Sequence, residues 1–407
     1  MWVRQNSPVT EKLDHVIFVD TSYGWVLAGD NGIICNTTNG GLNWTQQNFT
    51  VNYFTSSIFF LNRRLGWAIA NDFFYFGTTI LKTTNGGLNW TSSRYPDTTL
   101  VLNTVYYLDS LTGFMGGFQG TILKTTNAGA NWITAHVDSS IVAYFPIYKF
   151  SFMNSTTGFA SGGAFDIVGV VWRTTNGGLN WRAEGITAEP LYDIKCFPPN
   201  KVYACGGDFE YPMGITTSTN SGLNWIYVYD TTSCLGIART FAARTPKEIW
   251  IPGGHSQQWM VSTDSGLPYT WRCIQKPDST FIYAAQFVDS THGWAVGHYG
   301  SIFRYNPAFI GIEPIGSIIP KEFVLHQNYP NPFNPITRIE FSIPVEADVK
   351  IKVYDISGRE TATVLEQKLK AGKYAVNFNG ENFSSGIYFY VMETDGKLFS
   401  KKMVLLK

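Results

Sequence analysis

Apolar and polar residues alternate along this chain in short runs, broken by clusters of Gly, Asn, Asp, Ser and Thr. Residues 103–132, NTVYYLDSLTGFMGGFQGTILKTTNAGANW, show the unit. An alternating run meets a turn at Asp109–Gly113, a second run meets a tight turn at Gln119–Gly120, and a third run ends in a tryptophan box. A period of two argues for half-buried strands, so the stretch predicts three strands with a fourth opening at the tryptophan.

The box returns through most of the chain: TTNGGLNW at 37–44, 83–90 and 174–181, TTNAGANW at 125–132, STNSGLNW at 218–225 and a degraded STDSGLPYTW at 262–271. Its closing tryptophans, Trp44, Trp90, Trp132, Trp181, Trp225 and Trp271, are separated by 46, 42, 49, 44 and 46 residues. First turns recur in step, as DTSYGW at 20–25, NRRLGW at 62–67, NSTTGF at 154–159 and DSTHGW at 289–294. Such a period belongs to repeat architectures, and four short antiparallel strands per period is the unit of a β-propeller blade.

A seventh strand pair, AAQFVDSTHGWAVGHYGSIFRYNP at 284–307, has no box after it. The opening MWVRQNSPVT aligns with NWTQQNFTVN at 43–52, placing Trp2 on Trp44. The expectation is an all-β chain whose residues 1–309 form a seven-bladed β-propeller. Residues 1–9 then supply the outer strand of blade seven, which removes an exposed sheet edge.

In each box Asn39, Asn85, Asn127, Asn176, Asn220 or Asp264 is expected to close an Asx turn onto its own backbone two residues on. The second glycine (Gly41, Gly87, Gly129, Gly178, Gly222, Gly266) supplies positive φ, and the tryptophan buries a ring of ~150–250 Å² between blades. The boxes are thus read as structural corners that do no chemistry. They resemble the Asp-box (BNR) repeat, [ST]-x-[DN]-x-G-x-x-W, and more closely the propellers like the photosystem II assembly and stability factor, over about residues 10–305. The resemblance implies the fold and leaves function open, because sialidases, xyloglucanases, sorting receptors and assembly factors all carry such boxes.

After Pro307 the pattern changes. IGIEPIGSIIP suits a linker over 310–323, and alternating runs at 337–343, 349–355, 373–378, 386–392 and 397–405 predict a small Ig-like antiparallel sandwich over 324–407. The prolines at 330, 332 and 335 predict an extended entry into it. NYPNPFNP at 328–335, YDISGR at 354–359, SSGIYFY at 384–390 and the terminal KKMVLLK resemble the type A C-terminal sorting domain of type IX secretion cargo. That resemblance implies the type IX machinery as a partner and a secreted or cell-surface location in a Gram-negative bacterium. A charged start followed by an apolar core is absent at Met1, so the leader is read as removed or never included. No run of about 18 apolar residues predicts a membrane span.

Lys+Arg 30 against Asp+Glu 30 leaves no net charge and no basic stripe, which argues against a nucleic-acid partner. The five cysteines (Cys35, Cys196, Cys205, Cys234, Cys273) lack metal spacing. Cys196 and Cys205 flank one expected hairpin and are read either as a bridge or as buried thiols.

Function is expected where insertions lengthen loops on one propeller face: ANDFFYFGTT at 70–79, GGAFDIVGV at 162–170, GGDFEYPMG at 206–214 and GGHSQQW at 253–259. Their aromatic and acidic content makes Phe74, Tyr75, Phe165, Asp208, Tyr211, His255 and Trp259 candidate ligand-binding residues for a glycan or a surface protein. The bland alternative folds these rings over the channel as a cap. His255 and His298 lack a third metal ligand, so no metal or cofactor is expected. A glycosidase needs two carboxylates ~5–9.5 Å apart, and Asp166, Asp208 and Glu210 are the candidates on long loops. The propeller arginines fall outside any sialidase-type FRIP segment, with Arg63 and Arg64 on the opposite face. The reading is a secreted binding or structural propeller, with a surface glycoside hydrolase as the alternative and an assembly factor for an exported complex third.

Overall fold

The computed structural model describes residues 2–47, 54–72, 77–138, 140–208, 213–228, 234, 236–254, 256, 258–267, 270–275, 280–306, 309–314, 320–381 and 383–407. Among these the chain is all-β, with three 3₁₀ turns and no α-helix. Seven sheets lie within residues 2–305, and in each the inner strand is followed outward by the next two strands of the chain; the sheet built on Ile147–Phe152 adds His136–Val137 as a parallel fifth strand at its outer edge. The inner strands are His15–Phe18, Phe54–Phe60, Leu102–Tyr107, Ile147–Phe152, Leu191–Phe197, the pair Ile237–Ala238 and Ala242–Ala243, and Ile282–Phe287. Residues from all seven inner-strand regions line one central cavity of about 1150 Å³, the arrangement of a β-propeller. The sheet built on Ile282–Phe287, Gly293–Gly297 and Ile302–Tyr305 takes Trp2–Gln5 as its fourth strand.

Aromatic rings staple several of the sheets to their neighbours. Trp67 lies flat on Tyr107 at 3.6 Å, and the box residue Trp132 meets Tyr107 edge-on at 6.2 Å. Trp25, Phe60 and Trp90 repeat the motif at 3.6 and 5.8 Å. Trp294, Phe18 and Trp44 repeat it at 3.4 and 5.8 Å, joining the last sheet to the first. Gln286 adds to that junction by accepting from the Phe18 N–H and donating to the Phe18 carbonyl. Stacked and edge-on rings both suit the aromatic quadrupole.

These staples explain the glycine before each first-turn aromatic. A Cβ on Gly66 would meet the Phe60 ring at 2.4 Å, and one on Gly158 would meet Phe152 at 2.3 Å. The box glycine combines both demands: Gly178 has φ +78, and a Cβ there would meet Phe114 at 2.3 Å.

The box turn differs from expectation. The Asn39 side chain accepts from the Asn43 N–H, four residues on, while the Thr37 hydroxyl accepts from Gly41 N–H and donates to Asn39 Oδ1. The same bonds recur at Thr83, Thr125, Thr174 and Ser218. Opening the box with Thr or Ser gives a hydroxyl that competes for those amides. Two-residue Asx turns sit instead in the first turns, where Asp20, Asn62, Asp109, Asn154 and Asp289 accept from the second and third amides on.

Cys196 and Cys205 do not bridge. Cys196 pairs across the hairpin with Val202, and Cys205 with Asp193, so the two thiols are not opposite one another. The disulfide joins Cys234 and Cys273, whose Cα atoms are 5.6 Å apart.

The tail is described by itself. Two four-stranded sheets enclose a core of Ile339, Phe341, Phe378, Val349, Ile351, Tyr390, Met392, Met403 and Leu405. Part of the expected linker is sheet: Phe309–Pro314 pairs antiparallel with Gly372–Asn379, because its extended backbone satisfies an edge. Glu360–Leu369 is a further strand whose two register shifts against Ala347–Tyr354 disrupt its alternation. The proline segment covers the edge of the last strand: Phe333 N–H donates to Val404 O, Leu406 N–H to Phe333 O, and Val404 N–H to Asn331 Oδ1.

Candidate ligand site at the cavity mouth

Five inner strands carry a register shift near their first residues, leaving Ser56, Asn103, Tyr148, Tyr192 and Tyr283 outside the ladder. A bulge re-aims the side chain it carries, and all five residues line the cavity. Asp14 and Arg239 take the equivalent places in the other two sheets, Arg239 in the gap between Ile237–Ala238 and Ala242–Ala243. Each of the seven stands nine or ten residues before its sheet's second strand begins. One fold position, repeated around the axis, thus builds a ring of Asp, Ser, Asn, Tyr, Tyr, Arg and Tyr.

One arc of the ring is aromatic and cationic. Tyr148 and Tyr192 stack at 5.6 Å, Phe165 tilts against Tyr192 at 6.1 Å, and the Arg239 guanidinium lies 4.6 Å from the Tyr192 ring centre. Such a cation over an aromatic face is favourable by ~0.5–2 kcal/mol. Burial pushes the Tyr192 phenol well above its ordinary pKa, against the opposing pull of Arg239. Tyr283 shares a 2.7 Å hydrogen bond with His298.

Next to the ring along the inner strands stands a charged group. Lys149 lines it, and burial lowers the pKa of its ammonium, with Lys195 adding to the effect and Asp193 and Asp14 opposing it. Burial and then Lys149 lower the pKa of His15, whose Nδ1 lies 2.9 Å from Asp14 Oδ1. Asp193 is held by Thr240 and by the Phe241 N–H.

Beside the aromatic arc lie three carboxylates. Oxygens of Asp166, Glu189 and Asp208 fall within 4.8 Å of one another, and the Asp166 N–H donates to Glu189 at 3.2 Å. Burial, then repulsion from Asp208 and Asp166, raises the pKa of Glu189 despite that bond.

The loop residues divide in several ways. Phe165 is 47% exposed beside Tyr192, and Asp208 is buried in the acidic group. Trp259 is corrected: it is 1% exposed, sits within the strand Gln258–Ser262 and meets Trp250 edge-on, because that strand begins one residue earlier and turns the ring inward. Phe74, Tyr75, Glu210, Tyr211 and His255 lie outside the described residues. Sequence reasoning missed Tyr148, Lys149, Tyr192, Arg239 and Tyr283. The signal that finds them is their shared repeat phase.

Residues 327–406 match the family model of the secretion system C-terminal sorting domain. Residues 1–143 match that of the photosynthesis system II assembly factor YCF48. Among solved structures, YCF48 bound to D1 peptide is 22% identical with a TM-score of 0.58, over 75% of this chain and 96% of that one. YCF48 from Cyanidioschyzon merolae is 19% identical with a TM-score of 0.60, over 75% and 99%. A GH74 xyloglucanase from Xanthomonas campestris is 11% identical with a TM-score of 0.57, over 84% of this chain and 59% of that one. No curated protein matches the chain. The structural likenesses show the β-propeller fold alone. The sorting-domain match supports a secreted or cell-surface location, and no helix among the described residues is long and apolar enough to cross a membrane.

Proposed function

We propose that this protein is a surface-exposed binding module that holds a glycan or protein ligand at the ring mouth, exported by type IX machinery that reads residues 324–407. The observation supporting the reading is the aromatic arc: three rings and a stacked guanidinium, from four different loops and strands, converge on one cavity. Flat rings with a few placed polar groups are what a small-ligand site requires. The D1 peptide of the YCF48 structure belongs to that protein; here it adds a precedent for a propeller of this kind holding a peptide.

The test is a glycan and peptide array on the intact protein, followed by titration of each hit. Phe165→Ala is expected to weaken binding about 3–12-fold, the worth of one aromatic contact, while the melting temperature holds because Phe165 is a half-exposed loop residue. Unchanged affinity would place the ligand elsewhere. The hydrolase alternative draws on the acidic group, whose oxygens lie within 4.8 Å of one another, on the short side of the ~5–5.5 Å between the carboxyl groups of retaining glycosidases. It expects release of shortened sugar that Asp208→Asn stops.

A further inference from the structure

We infer that the ligand of this mouth is an acidic glycan, a hexuronate whose carboxylate sits on Arg239. The inference rests on the reading of the mouth as a binding site and names its ligand class.

Arg239 occupies a ring position, yet among the described residues its side chain has neither an ion pair nor a hydrogen bond, and its Nε is buried. A buried donor without a partner is costly, and a guanidinium stacked on an aromatic ring leaves its planar fork free for a carboxylate. The neighbouring carboxylates are engaged by other donors: Asp14 by His15 and Lys12, and Asp193 by Thr240 and the Phe241 amide. Lys149, likewise without an ion pair among the described residues, adds an amine that can donate into the same cavity. The Tyr192 hydroxyl is also buried without a partner there.

Around Tyr192 stand Arg239 with its stacked guanidinium, the half-exposed ring of Phe165, and the Glu189 and Asp208 carboxylates. A hexuronate carries the matching groups: one carboxylate, one apolar ring face and vicinal hydroxyls that donate to carboxylates. An acidic peptide matches only the first of these, offering neither the sugar ring face to Phe165 nor vicinal hydroxyls to Glu189 and Asp208. A cavity of about 1150 Å³ admits several sugar rings.

The experiment titrates the full chain with a short oligogalacturonate, its methyl ester, a neutral cello-oligosaccharide of equal length and an Asp/Glu-rich peptide. The expected result is binding of the free acid, at least tenfold weaker binding of the ester, and affinity that falls as salt is added. Arg239→Lys, which keeps the charge and loses the fork, should weaken the acid at least tenfold at an unchanged melting temperature. If Arg239 variants fail to fold, the acid-against-ester ratio and the salt dependence of the natural protein decide. Equal binding of acid and ester, or a neutral sugar or peptide bound in preference, overturns the uronate assignment while leaving the mouth as a site. Failure of every probe, together with an array that returns no ligand, removes both.

Discussion

Deletion of residues 1–9 is expected to destabilise the propeller by about 4 kcal/mol or more, since loss of one buried Trp alone costs ~3–5 kcal/mol. Trp2 is buried and meets Tyr305 edge-on at 5.5 Å. Val9 is buried in the cluster that holds Leu13, Val26, Trp44, Trp294 and Val296. Arg4 donates to Ser301 at 3.0 Å, and a Cβ on Gly300 would strike the Val9 carbonyl at 1.8 Å, so the segment is packed throughout. Against a typical total of ~5–15 kcal/mol the loss is a large fraction. Urea unfolding followed by tryptophan fluorescence reads it. A midpoint equal to that of the full chain would mean that these residues do not close the last sheet.

Trp67→Ala should cost about 3–5 kcal/mol by the same logic of lost burial and residual cavity. Trp67 is 1% exposed and stacks on Tyr107 across the junction of two sheets. The substitution removes the stacked half of the staple and leaves the edge-on contact of Tyr107 with Trp132. Propeller junctions are sequential, so one loosened junction weakens closure of the whole ring. A shift below 1 kcal/mol in the same unfolding assay would show that the staples are incidental to the ring's stability.

The blades were legible because their signals are local. A first turn such as DSTHGW needs Asp289 for the Asx bonds and Gly293 for the close ring of Phe287, and both lie within one short stretch. The ring of the site was not legible for the opposite reason. A strict period of two sends Tyr148 and Lys149 to opposite faces, whereas the register shift between Ile147 and Lys149 lets both line the cavity. Trp259 misled in a related way: a loop read two residues too long turned a core ring into a surface one. Glu189 escaped notice because it comes from the connection before Leu191–Phe197, and only folding brings it to Asp166 and Asp208. In the tail, NYPNPFNP was legible as extended chain, but its bonds to Val404 and Leu406 span some 70 residues and leave no local trace.

We propose that the propeller closes on itself and that a separable tail carries it to the surface. The most direct test expresses, behind a secretory signal peptide in a type IX-competent host, the full chain and a chain ending at Asn306, which leaves the strand Ile302–Tyr305 whole and removes Phe309–Pro314 with its sheet. Fractionation and surface protease digestion then locate each protein. The full chain is expected at the surface or in the medium, and the shortened chain folded in the periplasm. Surface delivery of the shortened chain at the full-length level would contradict the proposal.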